Sequence, residues 1–230
     1  MSLSSLHDAI DNWSLNTDRP FSSFGTSEIE HGTIEGLSSS KPDLETATLA
    51  LAELGTRTRR AARLAEDRIN NRLSEVGHEP IPWLLRVREN LKILIFEDEP
   101  NENYTTSLYV ILRDGYTSKN GRYGLYVGQT TNTPKHRFEE HLNGINSGRG
   151  LQENGLQLMN SLMWPWHKVP GARQLEYESA LHTALEIGNT NGPKVSGDVV
   201  PAAEWPAGFQ KSLCEKVCEA NPYSNHVAKS

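Results

Sequence analysis

Apolar positions change period several times along the chain, and each change predicts an element. From Pro42, "PDLETATLALAELGTRTRRAARLAEDRINNRLSEVG" is built of good helix formers, with Asp43 and Glu45 near its start and Gly77 at its end. Gly55 is expected to break it into two helices. "PIPWLLRVRENLKILIFEDEPNEN" holds a short helix and then a strand-like run, Ile93 to Phe96, ended by acids and Pro100. "SLYVILRDGYTSKNGRYGLYVGQT" has two β-rich runs around Asp114-Gly115 and Asn120-Gly121, the pattern of a hairpin.

Proline is tolerated in a first helical turn, so Pro134 opens a helix that runs through His141. After it, 144–155 reads as a glycine-rich loop, "LQLMNSLMW" as a further helix and "WHKV" as a third strand. "RQLEYESALHTALEIG" is an amphipathic helix with apolar Leu175, Leu181, Ala184 and Leu185. The tail from Ala202 adds a Trp205 segment and a helix around Cys214. Residues 14–41 are rich in Ser, Thr, Gly and acids with few large apolars, which predicts a weakly ordered acidic arm over 1–41. The expected organisation is this arm, a helical region over 42–104, a core over 105–200 and a C-terminal extension over 201–230.

Length and composition narrow the classes. At 230 residues and 36% hydrophobic content the chain can bury a core, and no run of 18 apolar residues suggests a membrane span. "MSLSSLHDAIDNW" has no basic region followed by an apolar stretch, so no secretory signal is expected. Cys214 and Cys218 suit one helical face, a poor disulfide geometry, and two thiols without further Cys or His make no structural zinc site. A reducing cytoplasm is the expected compartment. The first fifty residues carry eight acidic and two basic side chains, which accounts for the whole net charge of −6 and leaves the rest neutral. Clustered arginines in a neutral region can still bind phosphate. Arg57, Arg59, Arg60, Arg63, Arg68 and Arg72 make such a cluster, either a phosphate-contacting helix face or a solvated one partnered by Glu66 and Asp67.

One stretch carries more chemistry than the rest. "RYGLYVGQTTNTPKHRFEEHL", residues 122–142, leads from a strand tyrosine through a polar turn into a helix with Arg137 and His141 four residues apart. With "SLY" at 107–109, "YVG" at 126–128, the Arg137/His141 helix, and a glutamate on a later helix with an asparagine beyond it, the chain resembles the GIY-YIG nuclease superfamily over roughly 105–200. Ser107 stands where the first signature has glycine, and Gln129 where many members have lysine. The resemblance implies an α/β fold, a small, mainly antiparallel central sheet flanked by helices, here with a helical N-terminal addition. It implies a metal-dependent DNA endonuclease with catalytic Tyr109, Tyr126, Arg137, His141, Glu178 and Asn191. Glu178 would hold Mg²⁺ or another divalent cation such as Mn²⁺, with Glu176 as the alternative, and Asn189 is the alternative to Asn191. Gln129, Arg57, Arg59, Arg60 and Arg63 are the expected substrate contacts.

Phosphodiester hydrolysis needs an activated water, charge neutralisation at phosphorus and help for the leaving oxygen. Arg137 supplies a planar cation for the nonbridging oxygens. The tyrosines supply phenols that orient a water or deprotonate it, the latter only if the metal or Arg137 lowers their pKa. His141, with an ordinary pKa of about 6.5, is expected to accept a proton from Tyr109 or water. Each residue alone has a plainer reading: strand tyrosines pack, a helix Arg/His pair is solvated, a glutamate near a helix start answers the dipole, and Trp164 and Trp166 fill a core rather than stack on bases. Restriction-like cleavage of duplex DNA as a homodimer is the expected subtype. The alternatives are a defence or toxin effector nuclease, or a silent module that binds nucleic acid or protein.

Overall fold

The computed structural model describes residues 2–13, 19–92, 103–115, 121–148, 150–163, 168–186 and 192–220. The first half runs α1 (Leu3–Asp11), α2 (Thr26–Leu37), α3 (Leu44–Gly55), α4 (Arg60–Glu75) and α5 (Leu84–Lys92). Next come β1 (Ser107–Arg113), β2 (Gly124–Thr130), α6 (Pro134–Leu142), α7 (Leu151–Asn154), β3 (Gly155–Leu158) and α8 (Asn160–Met163). The chain closes with α9 (Gln174–Glu186), β4 (Val195–Ser196) and α10 (Ala207–Ala220). Two compact units result: Met1–Leu85 with Met159–Trp164, and Arg86–Leu158 with Pro165–Ser230. This division falls inside α5 and differs from the breaks expected at 41, 104 and 200.

The first unit corrects the expected arm. Residues 1–41 contain α1 and α2, where Leu6, Ile10, Trp13, Phe21, Ile29 and Leu37 are buried and Leu3, Phe24 and Ile34 are half-buried. A fully buried aliphatic or aromatic side chain contributes about 1.5–3 kcal/mol, so these six buried side chains suffice to anchor the helices. The glycines that look like loop composition let α1 approach α2. A Cβ at Gly32 would stand 2.7 Å from Leu6 Cδ1, and one at Gly36 3.0 Å from Leu3 Cδ1. Asp43 caps α3 by accepting from Thr46 N–H at 3.0 Å. As expected, α3 stops at Gly55. Arg57 lies between α3 and α4 rather than on the arginine-rich helix. It pairs with Glu53 at 2.9 Å and donates to the carbonyls of Phe21 and Phe24.

The second unit is α/β, with a small mixed sheet in the order β3-β1-β2-β4. β1 runs antiparallel to β2 and β3, and β4 runs parallel to β2. The hairpin is present: Gly115 (φ +83°) and Gly121 (φ +88°) take backbone angles that favour glycine, and Arg122 Nε bonds Asp114 at 2.6 Å. Strand alternation gives β1 and β2 two different faces. One carries Leu108, Val110 and Leu112 opposite Gln129, Val127 and Leu125; the other carries Tyr109 opposite Gly128 and Ile111 opposite Tyr126.

Around the third strand the structure differs from expectation. "LQLMNSLMW" is not one helix: Gly155–Leu158 forms β3, and only Asn160–Met163 is helical. "WHKV" is not a strand over its described part, where Val169 makes a single bridge to Thr106. A four-residue helix, α7, interrupts the expected loop at 144–155. The C-terminal stretch belongs to the second unit: Phe209 meets Tyr177 edge-on at 5.5 Å, and Trp205 Nε1 donates to Val200 O at 3.1 Å. Among the described residues no helix is long and apolar enough to cross a membrane.

Candidate active site

The site starts from the pairing of Tyr109 with Gly128 across β1 and β2. A Cβ at Gly128 would lie 2.5 Å from Tyr109 Cζ, so the glycine of "YVG" is the floor on which this ring lies. Tyr126, two residues back on the same face, brings its ring to 6.2 Å from that of Tyr109. α6 then adds His141. Thr133 caps the helix through His136 N–H at 3.2 Å and Pro134 occupies its first turn. His141 follows two turns on, its ring 5.8 Å from Tyr109 and 5.6 Å from Tyr126. Tyr109 and His141 are fully buried, and Tyr126 is half-buried.

Hydrogen bonding fixes the state of the imidazole. Gly148 N–H donates to His141 Nδ1 at 3.1 Å, so Nδ1 carries no proton. Burial first, and the Arg137 charge second, push His141 down to about 4, so the ring is neutral. Its one proton is therefore on Nε2, which donates to Tyr109 Oη at 2.7 Å. This corrects the expectation that His141 accepts a proton from Tyr109, because no lone pair faces the phenol. Burial, and then Tyr126, push the Tyr109 phenol up, while Arg137 acts the other way.

Arg137 sits one turn before His141. Nη1 pairs with Glu140 at 2.9 Å and reaches Ile145 O at 3.3 Å, Nη2 donates to Asn146 O at 2.8 Å, and the guanidinium charge is felt by Tyr109. Burial works against its charge, but Glu140 and Tyr109 outweigh that and raise its pKa. The cation is thus held rigidly, with part of its fork already in use.

Glu178 comes from α9 and is buried, 3% exposed. Burial first, and the Asp198 carboxylate second, push it up to about 7, while the Asp198 backbone acts the other way. Burial first, and the Glu178 charge second, raise Tyr126, and the Glu178 charge also raises Tyr109. Glu176, the alternative, instead pairs with Arg173 at 2.6 Å. Asp198 is brought in by Gly197, whose φ of +149° suits glycine and whose Cβ would meet Val127 O at 2.7 Å. Sequence reasoning missed Asp198, and the Ser-Gly-Asp turn after a short strand is the one signal that marks it.

The other expected residues fall elsewhere. Gln129 is on the sheet face opposite the tyrosines. Arg57 is structural, tied to Glu53 and to two carbonyls of the first unit. Arg59, Arg60 and Arg63 are exposed on the first unit at the start of α4. Asn191 and Asn189, Trp164 and Trp166, and the run 93–96 lie outside the described residues. Among the described residues no group of three or more His, Cys, Asp or Glu is placed to hold a metal. Magnesium is commonly bound through one or two carboxylates plus substrate oxygens and waters. Glu178 fits that pattern, since a cation would offset both the burial and the Asp198 charge that disfavour its ionised form. Comparison of the chain with models of known protein families, with curated proteins and with solved structures gives no match.

Proposed function

We propose that the chain is a metal-dependent endonuclease of the GIY-YIG type that hydrolyses phosphodiester bonds in DNA. The observation that carries this reading is the convergence of Tyr109, Tyr126, His141 and Arg137 on one sheet face, with the Glu178 carboxyl close enough to shift both phenols. A divalent cation bound at Glu178 supplies charge neutralisation at the phosphate. The chain's own residues do the rest. Tyr126, the less buried phenol, orients the attacking water. Arg137 holds its cation where charge grows on the nonbridging oxygens. His141 donates to Tyr109 and fixes that phenol beside Arg137. On the first unit, exposed Arg59, Arg60 and Arg63 offer sequence-independent phosphate contacts. Restriction-like cutting of duplex DNA by a homodimer is the finer form of the proposal.

A silent nucleic-acid-binding module is the second reading. The observation in its favour is Arg137, which already bonds Glu140 and two carbonyls. Incubation of supercoiled plasmid with Mg²⁺, and again with EDTA, separates the two. The nuclease reading expects nicked or linear plasmid with Mg²⁺ and none with EDTA; intact plasmid that is bound but never cut supports the silent module.

A further inference from the structure

The way the chain leaves α6 ties the site together. α6 ends in a Schellman turn: Gly144 N–H bonds His141 O at 3.1 Å, Ile145 N–H bonds Glu140 O at 2.9 Å, and Gly144 takes φ +75°. Asn146 follows at φ +44°, a left-handed angle unusual outside glycine. The two reversals carry residues 145–148 back over the side of α6 that presents Arg137 and His141. There the carbonyls of Ile145 and Asn146 accept from Arg137, and Gly148 N–H reaches His141 Nδ1. Gly148 also lies against Tyr126: a Cβ would stand 2.8 Å from Cε2 and 2.9 Å from Cζ of that ring. One short turn therefore touches three site residues from two elements, using backbone atoms throughout.

We propose that the turn Asn143–Gly148 is the positioning element of this site, with Gly148 at its centre. The Gly148 N–H fixes His141 as an Nε2–H donor to Tyr109, and the missing side chain seats the Tyr126 ring. A backbone N–H can only donate, so it admits one neutral tautomer of the imidazole and excludes the other. Every residue but proline supplies that N–H; glycine alone also leaves room for Tyr126. Gly148 is a positioning residue and touches no substrate. The part concerning catalysis rests on the nuclease reading, and the part concerning the ring's proton does not.

Nitrogen-15 NMR of the full chain tests the second part directly, with His141 assigned by the loss of its ring signals in His141→Gln. The expected spectrum has the proton on Nε2 and a bare Nδ1. A proton on Nδ1 overturns the proposal whatever the activity. Gly148→Ala tests the first part, because it keeps the N–H and adds the Cβ. A displacement of about 1 Å in a reacting group costs roughly 100-fold, so kcat for plasmid cleavage should fall by about that factor with KM for DNA unchanged. A folded Gly148→Ala protein that cuts at the wild-type rate overturns the seating role while the nuclease reading stands. If the wild-type chain cuts no DNA, the nuclease reading fails, and the imidazole spectrum still decides how Gly148 sets the ring.

Discussion

Each unit of this protein buries a glutamate whose carboxyl is pushed up to about 7, and the surroundings of the two differ. Glu45, in the first unit, accepts from the N–H of Asn160 at 3.0 Å, the N–H of Ser161 at 2.9 Å and Ser161 Oγ at 2.5 Å. Burial raises it most and the Asp43 charge adds to that, while those donors lower it. Its oxygens cap the start of α8, a purely structural task. Glu178, in the second unit, feels the carboxylate of Asp198, and two tyrosines feel its own charge. A displaced pKa does not by itself mark a site. Both have an acidic neighbour, Asp43 for Glu45 and Asp198 for Glu178. But Glu45 is satisfied by three local donors while Glu178 lies beside the two tyrosines of the site, and the second arrangement suits a cation.

The largest expected effect breaks the second unit's chemistry without touching the first. Arg137→Ala removes the cation beside Tyr109, and loss of one such group costs about 10²–10³ in kcat. Arg137→Lys keeps the charge but not the fork, so it should recover only part of the rate. Wild-type cleavage by the alanine variant would remove Arg137 from the site.

Glu45→Ala breaks the other half of the comparison. It leaves the donors of Asn160 and Ser161 without their buried acceptor, at a cost of about 1–3 kcal/mol. The expected result is a lower urea midpoint with kcat unchanged in the folded protein. An unchanged midpoint would mean that the cap is dispensable.

Titration sharpens the contrast further. Both carboxyls rise from an ordinary 4.5 to about 7, so the folded chain keeps protons that the unfolded chain has released. Their contribution to stability is fully present below about 4.5 and is lost as pH rises through about 7. Above that pH, Mg²⁺ should restore stability through Glu178 and leave the Glu45 share untouched. Urea midpoints at pH 5 and pH 8, with and without Mg²⁺, measure this. A Mg²⁺ effect that persists in Glu178→Gln would place the cation elsewhere.

The smallest effect is expected on the exposed start of α4. Replacing Arg59, Arg60 and Arg63 by alanine should weaken binding to all DNA sequences alike and lower the salt slope by about 0.9 for each phosphate no longer neutralised. An unchanged slope would make these arginines a solvated face.

How much of this was legible in the sequence varies with the physics behind each element. The β1–β2 hairpin and α6 were readable because alternation, turn glycines and Pro134 act locally. Glu178 could be preferred to Glu176 only through the family resemblance, because Ser-Ala-Leu-His after it fits that pattern better; in the structure Glu178 is buried and Glu176 pairs with Arg173. α1 and α2 were not readable, because their glycines and serines resemble a loop until Gly32 and Gly36 are seen against Leu6 and Leu3. Asp198 and Gly148 could not be read either. Each acts through a chain reversal, and the direction of a reversal is a tertiary fact. The sense of the Tyr109–His141 hydrogen bond depends on Gly148 N–H and is the reverse of the one expected.

The most direct test of the proposed site sets the two glutamates side by side. Supercoiled plasmid is incubated with Mg²⁺ and with the wild-type, Glu45→Gln or Glu178→Gln protein, each first shown to be folded. Replacing a carboxylate by its amide keeps shape and removes charge, so the pair isolates cation binding from packing. Cleavage is expected from the wild-type and Glu45→Gln proteins and none from Glu178→Gln. Equal cleavage by all three, or loss of cleavage in Glu45→Gln alone, would contradict a cation site at Glu178.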